Sequence, residues 1–320
     1  MRIRLLGTAA GGAFPQWNCN CANCAGFRSG QIKAQSRTQS SAAVSADGEH
    51  WFLLNASPDI GHQIASFAPL GPSTDSRRGS GIESVLITNA DLDHTLGLYQ
   101  LREGGRFVVY AGAGTRDALT AGLNLDAVLA SYCGVDWRTP PSTLTPLPLV
   151  DGSPSGLSFC AFSLPGNPPK YRRGAASVDS LPEGEGWGGV DRDSSDSLGY
   201  RIVDDATGAA MVFVPDLAEW TDTVEAQMAG CRLLLIDGTF WSDDEMVKTG
   251  VGTARASSMG HLPISGPGGT LTRLAGVDIN RKVYVHINNT NPILREDSAE
   301  RAEAVAAGVV IGEDGMEFEV

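Results

Sequence analysis

Three cysteines within six residues, Cys19-Asn20-Cys21-Ala22-Asn23-Cys24, are the densest cluster of chemistry-bearing side chains in the chain. Thiolates bind Zn²⁺ tightly, and three of them spaced two and three residues apart can wrap one ion on a tight loop. A closed tetrahedral site then needs a fourth ligand from elsewhere. The other cysteines, Cys133, Cys160 and Cys231, are scattered in apolar or small-residue settings, which is not the layout of a disulfide framework. No strand-then-helix CxxC setting surrounds the cluster, so the reading is structural zinc rather than redox chemistry.

A second set lies in Ile87-Thr88-Asn89-Ala90-Asp91-Leu92-Asp93-His94, an apolar run that ends in two alternating carboxylates and a histidine. Asp91, Asp93 and His94 at a strand end can converge on one cation through oxygen and imidazole nitrogen. Other apolar runs end in the same manner: Asn55-Ala56-Ser57-Pro58-Asp59, Val214-Pro215-Asp216, Leu235-Ile236-Asp237-Gly238-Thr239 and Tyr284-Val285-His286-Ile287-Asn288-Asn289. Polar residues placed repeatedly after buried strands point to loops gathered at one sheet edge, where ligands bind. His261, in Gly260-His261-Leu262-Pro263, is a further loop candidate, whereas His50 and His62 read as ordinary surface or core residues.

These residues need a scaffold. Alternation and short apolar runs predict strands over 2–6, 41–44, 51–55, 85–88, 107–111, 157–164, 199–203, 210–214, 233–237 and 282–287. A closing hairpin is expected from 309–311 and 316–320 about Glu313-Asp314-Gly315. Helical spacing is clearest over 115–123, 125–132, 217–229 and 297–307, the last with Ser298 as N-cap and Gly308 just past its end. Strands in pairs and triplets broken by single helices favour two packed sheets with helices outside, in one domain spanning 1–320. The polar stretch 71–81 reads as a connection. The Gly-, Ser- and Asp-rich stretch 174–197, with Trp187, is either disordered or a functional lid.

The chain has 320 residues, a net charge of −13 and a sequence pI near 4.8. That balance argues against nucleic-acid or anionic-membrane surfaces, which need clustered Lys and Arg. No apolar run approaches the roughly 20 residues of a membrane span. The start, Met1-Arg2-Ile3-Arg4-Leu5-Leu6-Gly7-Thr8, has too short an apolar run for a signal peptide, so a cytoplasmic protein with a small-molecule or peptide ligand is expected.

Several stretches together carry a family resemblance: LLGTAAGGAFPQWNCNCANC, LLNASPDIGHQI, ADLDHTLGLYQLREG, LPGNPPKY, MGHLPISG and VYVHINNTNPILREDSAER. The strand, metal loop and later strand-end Asp and His resemble the metallo-β-lactamase superfamily. The full set, in order over nearly the whole chain, is similar to its PqqB family of pyrroloquinoline quinone (PQQ) biosynthesis proteins. The resemblance implies an α/β fold, a four-layer αββα sandwich with a metal site at the sheet edge and a Cys-bound structural zinc. It also implies a role in making PQQ from a Glu and a Tyr of a precursor peptide: hydroxylation of the tyrosine-derived ring with iron and O₂ after excision of the Glu–Tyr unit. An older suggestion for the family is a carrier moving PQQ or its precursor toward the periplasm.

Set against the superfamily loop HxHxDH, Asn89 and Asp91 stand where two histidines would, while Asp93 and His94 match. Asn167 stands where a third histidine is expected, Asp216 matches the bridging aspartate and His286 the last histidine. With five histidines in the chain, a two-zinc hydrolase site is not supplied. His94, His286 and Asp93, with Asp91 or Asp216 assisting, resemble a two-histidine carboxylate centre suited to Fe(II). Asp59 and His261 are candidates for proton transfer or for supporting the ligands. Arg102 and the Lys170-Tyr171-Arg172-Arg173 run could pair with substrate carboxylates, although a solvated loop also accounts for the run. For the fourth zinc ligand Asn289 is a positional choice, with water and His261 as rivals. Other PQQ-pathway proteins as partners and a homodimer complete the expectation.

Overall fold

The structure, a computed structural model, describes residues 1–172 and 197–320. Its strands are β1 (Arg2–Gly7), β2 (Ser41–Ser45), β3 (Trp51–Leu54), β4 (Ile82–Leu86), β5 (Phe107–Tyr110), β6 (Val135–Arg138) and β7 (Thr145–Pro148). There follow β8 (Pro154–Leu164), β9 (Ser197–Asp204), β10 (Ala210–Val214), β11 (Leu233–Asp237), β12 (Arg281–Val285), β13 (Val309–Ile311) and β14 (Glu317–Glu319). Among the described residues they form two seven-stranded sheets, ordered β14-β1-β2-β3-β4-β5-β6 and β13-β12-β11-β10-β9-β8-β7. β3 through β6 run parallel, as do β10 through β13, and the remaining neighbours are antiparallel.

Period-two alternation decides which layer each side chain serves. In β3, Phe52 and Leu54 join a cluster shared with Phe159, Tyr200, Met211, Phe213 and Leu235 of the other sheet, so this face is the inter-sheet core. Trp51 and Leu53 point the other way, onto a layer that includes Ile60, Leu98, Leu119 and Leu129. In β10 the same rule sends Met211 and Phe213 inward, and Val212 and Val214 onto Leu217, Val224, Met228 and Leu274. The result is the four-layer αββα sandwich. Each such buried side chain contributes roughly 1.5–3 kcal/mol relative to exposure.

The helices follow their caps. The helix Ala299–Ala306 begins where expected, with Ser298 Oγ accepting the Arg301 N–H at 3.1 Å. The helix Asp222–Met228 starts later than the periodicity over 217–229 suggests, because Thr221 caps it and the Leu217 N–H is committed to Asp237 at 2.8 Å. The expected closing hairpin is not formed. β13 pairs with β12 in one sheet and β14 with β1 in the other, and the intervening turn crosses between them. Asp314 holds that turn, accepting from Thr8 Oγ1 at 2.7 Å and from the Thr38 N–H and Oγ1 at 2.6 and 2.8 Å. β7 also escapes sequence reading, because Pro146 and Pro148 mark it as a non-strand. It lies at a sheet edge, where missing N–H groups are tolerated. Except for Ser197, which opens β9, the stretch 174–197 lies outside the described residues, as does Arg173.

Candidate metal centre

Parallel pairing brings the C-terminal ends of β3, β4, β10, β11 and β12 to one rim of the sandwich, the edge where open α/β sheets bind ligands. Each end delivers a polar residue: Asn55, Thr88, Asp216, Asp237 and His286. The loop after β1 closes over the same rim. Ala10 N–H donates to Ile287 O at 3.0 Å and Ile287 N–H to Thr8 O at 2.8 Å, which ties the two sheets together. Gly11 lies so near the metal loop that a Cβ there would sit 3.4 Å from Asp93 Oδ2. Asn55 and His286 adopt left-handed backbone (φ 64° and 56°), a conformation non-glycine residues rarely hold and one that clusters at functional sites.

Asp93, His94 and His286 place one potential ligand atom each within 4.8 Å of one another, and Asp216, His261 and His286 form a second such triad. His286 Nε2 is 3.0 Å from Asp93 Oδ2 and its Nδ1 is 3.3 Å from Asp216 Oδ1. His94 presents Nε2 at 3.8 Å from Asp93 and Nδ1 at 3.5 Å from Asp216. His94 is fully buried, yet its Nε2 has no hydrogen-bond partner, and neither does Asp216 Oδ1. Buried polar atoms without partners are costly and rare, and a cation among these groups would satisfy both. Two carboxylates and three imidazoles therefore fit a metal ion on the chemistry of the donors.

Their charges are strongly coupled. Burial alone would raise Asp93, but His94 and His286 hold it well below the usual carboxylate range. Asp216 is likewise held low against burial by His286, His94 and His261. Burial would lower His286, but Asp216 and Asp93 push it up to about 10, and His261 is raised against burial by Asp237. Asp91 goes the other way, up to about 6, through burial and the Asp93 and Asp216 charges.

The cysteine cluster assembles nearby. Asn289, three residues beyond His286, sets its side-chain amide nitrogen 3.1 Å from Cys19 Sγ and 3.5 Å from both Cys21 and Cys24 Sγ. A tetrahedral zinc with sulfur at about 2.3 Å and oxygen at about 2.0 Å has sulfur–oxygen edges of about 3.5 Å. The amide thus lies at fourth-corner distance from the three sulfurs, and a half-turn of the amide would present its oxygen there instead. Burial, together with the neighbouring thiols, pushes Cys21 up to about 11. His261 is engaged elsewhere, 2.8 Å from Asp237 and stacked on His286.

Residues 50–287 match the beta-lactamase superfamily domain. Coenzyme PQQ synthesis protein B of Pseudomonas entomophila (strain L48) is 43% identical over 100% of both chains. The protein of that name from Pseudomonas syringae pv. tomato is 42% identical, again over 100% of both. The chain belongs to the coenzyme PQQ synthesis protein B family. A crystal structure of Zn²⁺-bound PqqB from Methylobacterium extorquens covers 100% of both chains with a TM-score of 0.87 at 37% identity. A diphosphatase of the PhnP family, at 16% identity, TM-score 0.66 and 100% and 97% coverage, shares the fold.

Within this PqqB-family rim, the structure brings Asp93, His94, Asp216, His261 and His286 together and leaves other candidates apart. Asp91 stands outside both triads. Asp59 accepts from the Gln39 N–H and Nε2 at 2.9 and 3.0 Å, and Gln39 in turn accepts from Gly12 N, so Asp59 braces the glycine-rich loop. Arg102 pairs with Glu103 at 3.3 Å and lies over Tyr132, and Arg172 pairs with Asp117. Lys170 is exposed. Between Lys170 and Arg172, Tyr171 donates its hydroxyl to Ala90 O at 2.8 Å, a contact with the metal loop that the sequence did not announce. Asn55, Thr88, Asp237 and Thr239 are further residues the sequence reading did not single out as site members. The signal available was their position, at the last residue of a strand or one to two residues past it. Asp237, fully buried, accepts from Leu217 N, Thr239 N, Thr239 Oγ1 and His261 Nδ1 at 2.6–2.8 Å.

Proposed function

We propose that this protein acts in PQQ synthesis as an iron- and O₂-dependent hydroxylase of the tyrosine-derived ring of a Glu–Tyr-derived intermediate. The observation that carries the reading is the buried meeting of two imidazoles and a carboxylate, with His94 Nε2 left unpartnered. Two histidines and one carboxylate are the donor set of oxygen-activating Fe(II) centres, whereas thiolates favour zinc. His94, His286 and Asp93 would hold the iron, with Asp216 beside them. When bound, iron would supply the redox chemistry by which ring C–H, O₂, two electrons and two protons become ring C–OH and water. The electrons come from an external reductant of the thiol or ascorbate class.

The chain's own residues do the rest. Asp237 fixes His261 through Nδ1, so the other ring nitrogen is the one available to hold or move a proton at the rim. Lys170, exposed beside the Tyr171 that touches the metal loop, receives a carboxylate of the amino-acid-derived substrate, and Arg172 does so only by exchanging its Asp117 partner for the substrate. Cys19, Cys21, Cys24 and the Asn289 side-chain oxygen close a structural zinc site. In this reading the protein works in the cytoplasm, as a homodimer, and takes its precursor from other proteins of the pathway.

Anaerobic reconstitution with Fe(II), followed by O₂ uptake with the Glu–Tyr-derived intermediate and ascorbate, tests it. The expected result is O₂ consumption and a product heavier by one or more oxygen atoms, both lost in His94→Ala. Absence of uptake by the wild type, or its persistence in His94→Ala, overturns the hydroxylase. Tight binding of PQQ without turnover would mark a carrier instead.

A further inference from the structure

The two histidines are held from behind by matching hydroxyls. Thr88 Oγ1 lies 3.0 Å from His94 Nδ1, and Thr239 Oγ1 lies 2.8 Å from His286 Nδ1. We propose that Thr88 and Thr239 are positioning residues that set the ring tautomer of both histidines, so that each turns an unprotonated Nε2 toward one cation. The proposal rests on His94 and His286 being ligands.

A threonine hydroxyl has one proton to donate and lone pairs to accept with. Thr88 Oγ1 is also 3.1 Å from Asn55 Oδ1, and that atom is identified as the oxygen because the Thr88 N–H donates to it at 2.9 Å. An amide oxygen only accepts, so the Thr88 hydroxyl proton goes to Asn55. Its lone pair then faces His94 Nδ1, which must carry the hydrogen. On the other sheet, Thr239 Oγ1 is 2.6 Å from Asp237 Oδ1 and 2.8 Å from the His286 carbonyl oxygen, both acceptors. The Thr239 proton goes to one of these, and His286 Nδ1 must again donate.

In both rings Nε2 is therefore the nitrogen turned toward the shared site. That of His94 is buried and unpartnered, and that of His286 lies 3.0 Å from the Asp93 carboxylate, to which it donates until a cation takes the place of its proton. One cation would thus meet both Nε2 atoms and the Asp93 carboxylate. The two relays come from opposite halves of the sandwich: Thr88 is two residues past the end of β4, and Thr239 is two residues past the end of β11. Ligand histidines fixed through their second nitrogen are oriented and made better donors, and loss of such a partner weakens metal binding by about 10–100-fold.

The test uses Thr88→Val and Thr239→Val, which keep shape and remove the acceptor, beside Thr88→Ser and Thr239→Ser, which restore it. Zinc as a redox-silent probe is titrated against a competing chelator into protein that carries zinc at the cysteine site and no metal at the active site. Ring-nitrogen NMR of the same preparations without active-site metal reports the tautomer of His94. Each valine variant is expected to bind about 10–100-fold more weakly, each serine variant near the wild type, and Thr88→Val to lose the uniform Nδ1–H form of His94. Retention of one zinc at the cysteine site and unchanged circular dichroism certify folding. Wild-type affinity in both valine variants, or serine variants no better than valine, overturns the proposal. Retention of the active-site metal in His94→Ala would instead overturn the ligand assignment on which it rests.

Discussion

Glu245 provides a quantitative test of how the rim is braced. It is 4% exposed, and its carboxylate accepts from Thr290 Oγ1 at 2.5 Å and from Trp241 N at 2.6 Å. Thr290 adjoins Asn289 and lies four residues past His286, so Glu245 grips the loop that serves both clusters. Burial pushes its carboxyl up from 4.5 to about 7, against the pull of Thr290 and Trp241. The sign follows from proton counting. Between pH 4.5 and about 7 the folded protein keeps a proton that the unfolded chain has released, so stability falls as pH rises through this window. Below it both states are protonated, and above it both are ionised with the full penalty present. At about 1.4 kcal/mol per pH unit, the window corresponds to about 3 kcal/mol. Glu245→Gln, a neutral isostere that can offer oxygen to Trp241 and an N–H to Thr290, removes the titrating group. Urea unfolding of both proteins from pH 4.5 to 8, at equal metal content, should show the variant gaining on the wild type as pH rises, by up to about 3 kcal/mol at the top. Parallel curves, or a variant uniformly destabilised, would refute the reasoning.

Cys24→Ser should lose the zinc bound at the cysteine cluster and melt well below the wild type, since structural zinc contributes directly to folding. Metal analysis and thermal melting check it, and full zinc content with unchanged melting would contradict the site. Gly97→Ala should destabilise by about 1–3 kcal/mol, because its Cβ would lie 2.2 Å from Ser57 O and 2.7 Å from Ala56 O, so the backbone must shift. The displaced loop carries Asn55, so denaturant unfolding should be accompanied by weaker active-site metal binding in the same variant.

Much of this was legible because strands buried on both faces announce themselves as apolar runs, and because thiols two and three residues apart declare a site without help from the fold. Asp93, His94, Asp216 and His286 could be picked out as polar residues closing such runs. What local pattern does not contain is the partner of a strand. Residues 309–311 and 316–320 read as a hairpin, yet the strands formed there, β13 and β14, join different sheets because Asp314 binds Thr8 and Thr38 instead of closing a two-strand turn. Thr88 and Thr239 stayed hidden for a similar reason. Their significance comes from acceptors such as Asn55, 33 positions away, and from the left-handed backbone at Asn55 and His286, neither of which periodicity encodes.

The two metal clusters are mechanically one structure. His286 and Asn289 belong to a single loop, and every residue after the histidine that offers a polar side chain is tied down. Asn291 Nδ2 donates to Gly238 O at 2.9 Å and Thr239 O at 3.2 Å, on the strand end that also positions His286. Asn23, inside the cysteine loop, donates to Asn289 O at 3.1 Å and Asn291 O at 2.9 Å. Thr290 binds Glu245, and Ile287 is stitched to Thr8 and Ala10 on the other side. A zinc on Cys19, Cys21 and Cys24 would therefore clamp the loop whose first residue is held in a left-handed, unfavourable conformation. Strain of about 1–3 kcal/mol at such a position persists only where the surroundings over-determine it. The cysteine cluster lies where it can hold His286 in register with Asp93 and His94, three residues from its own fourth corner.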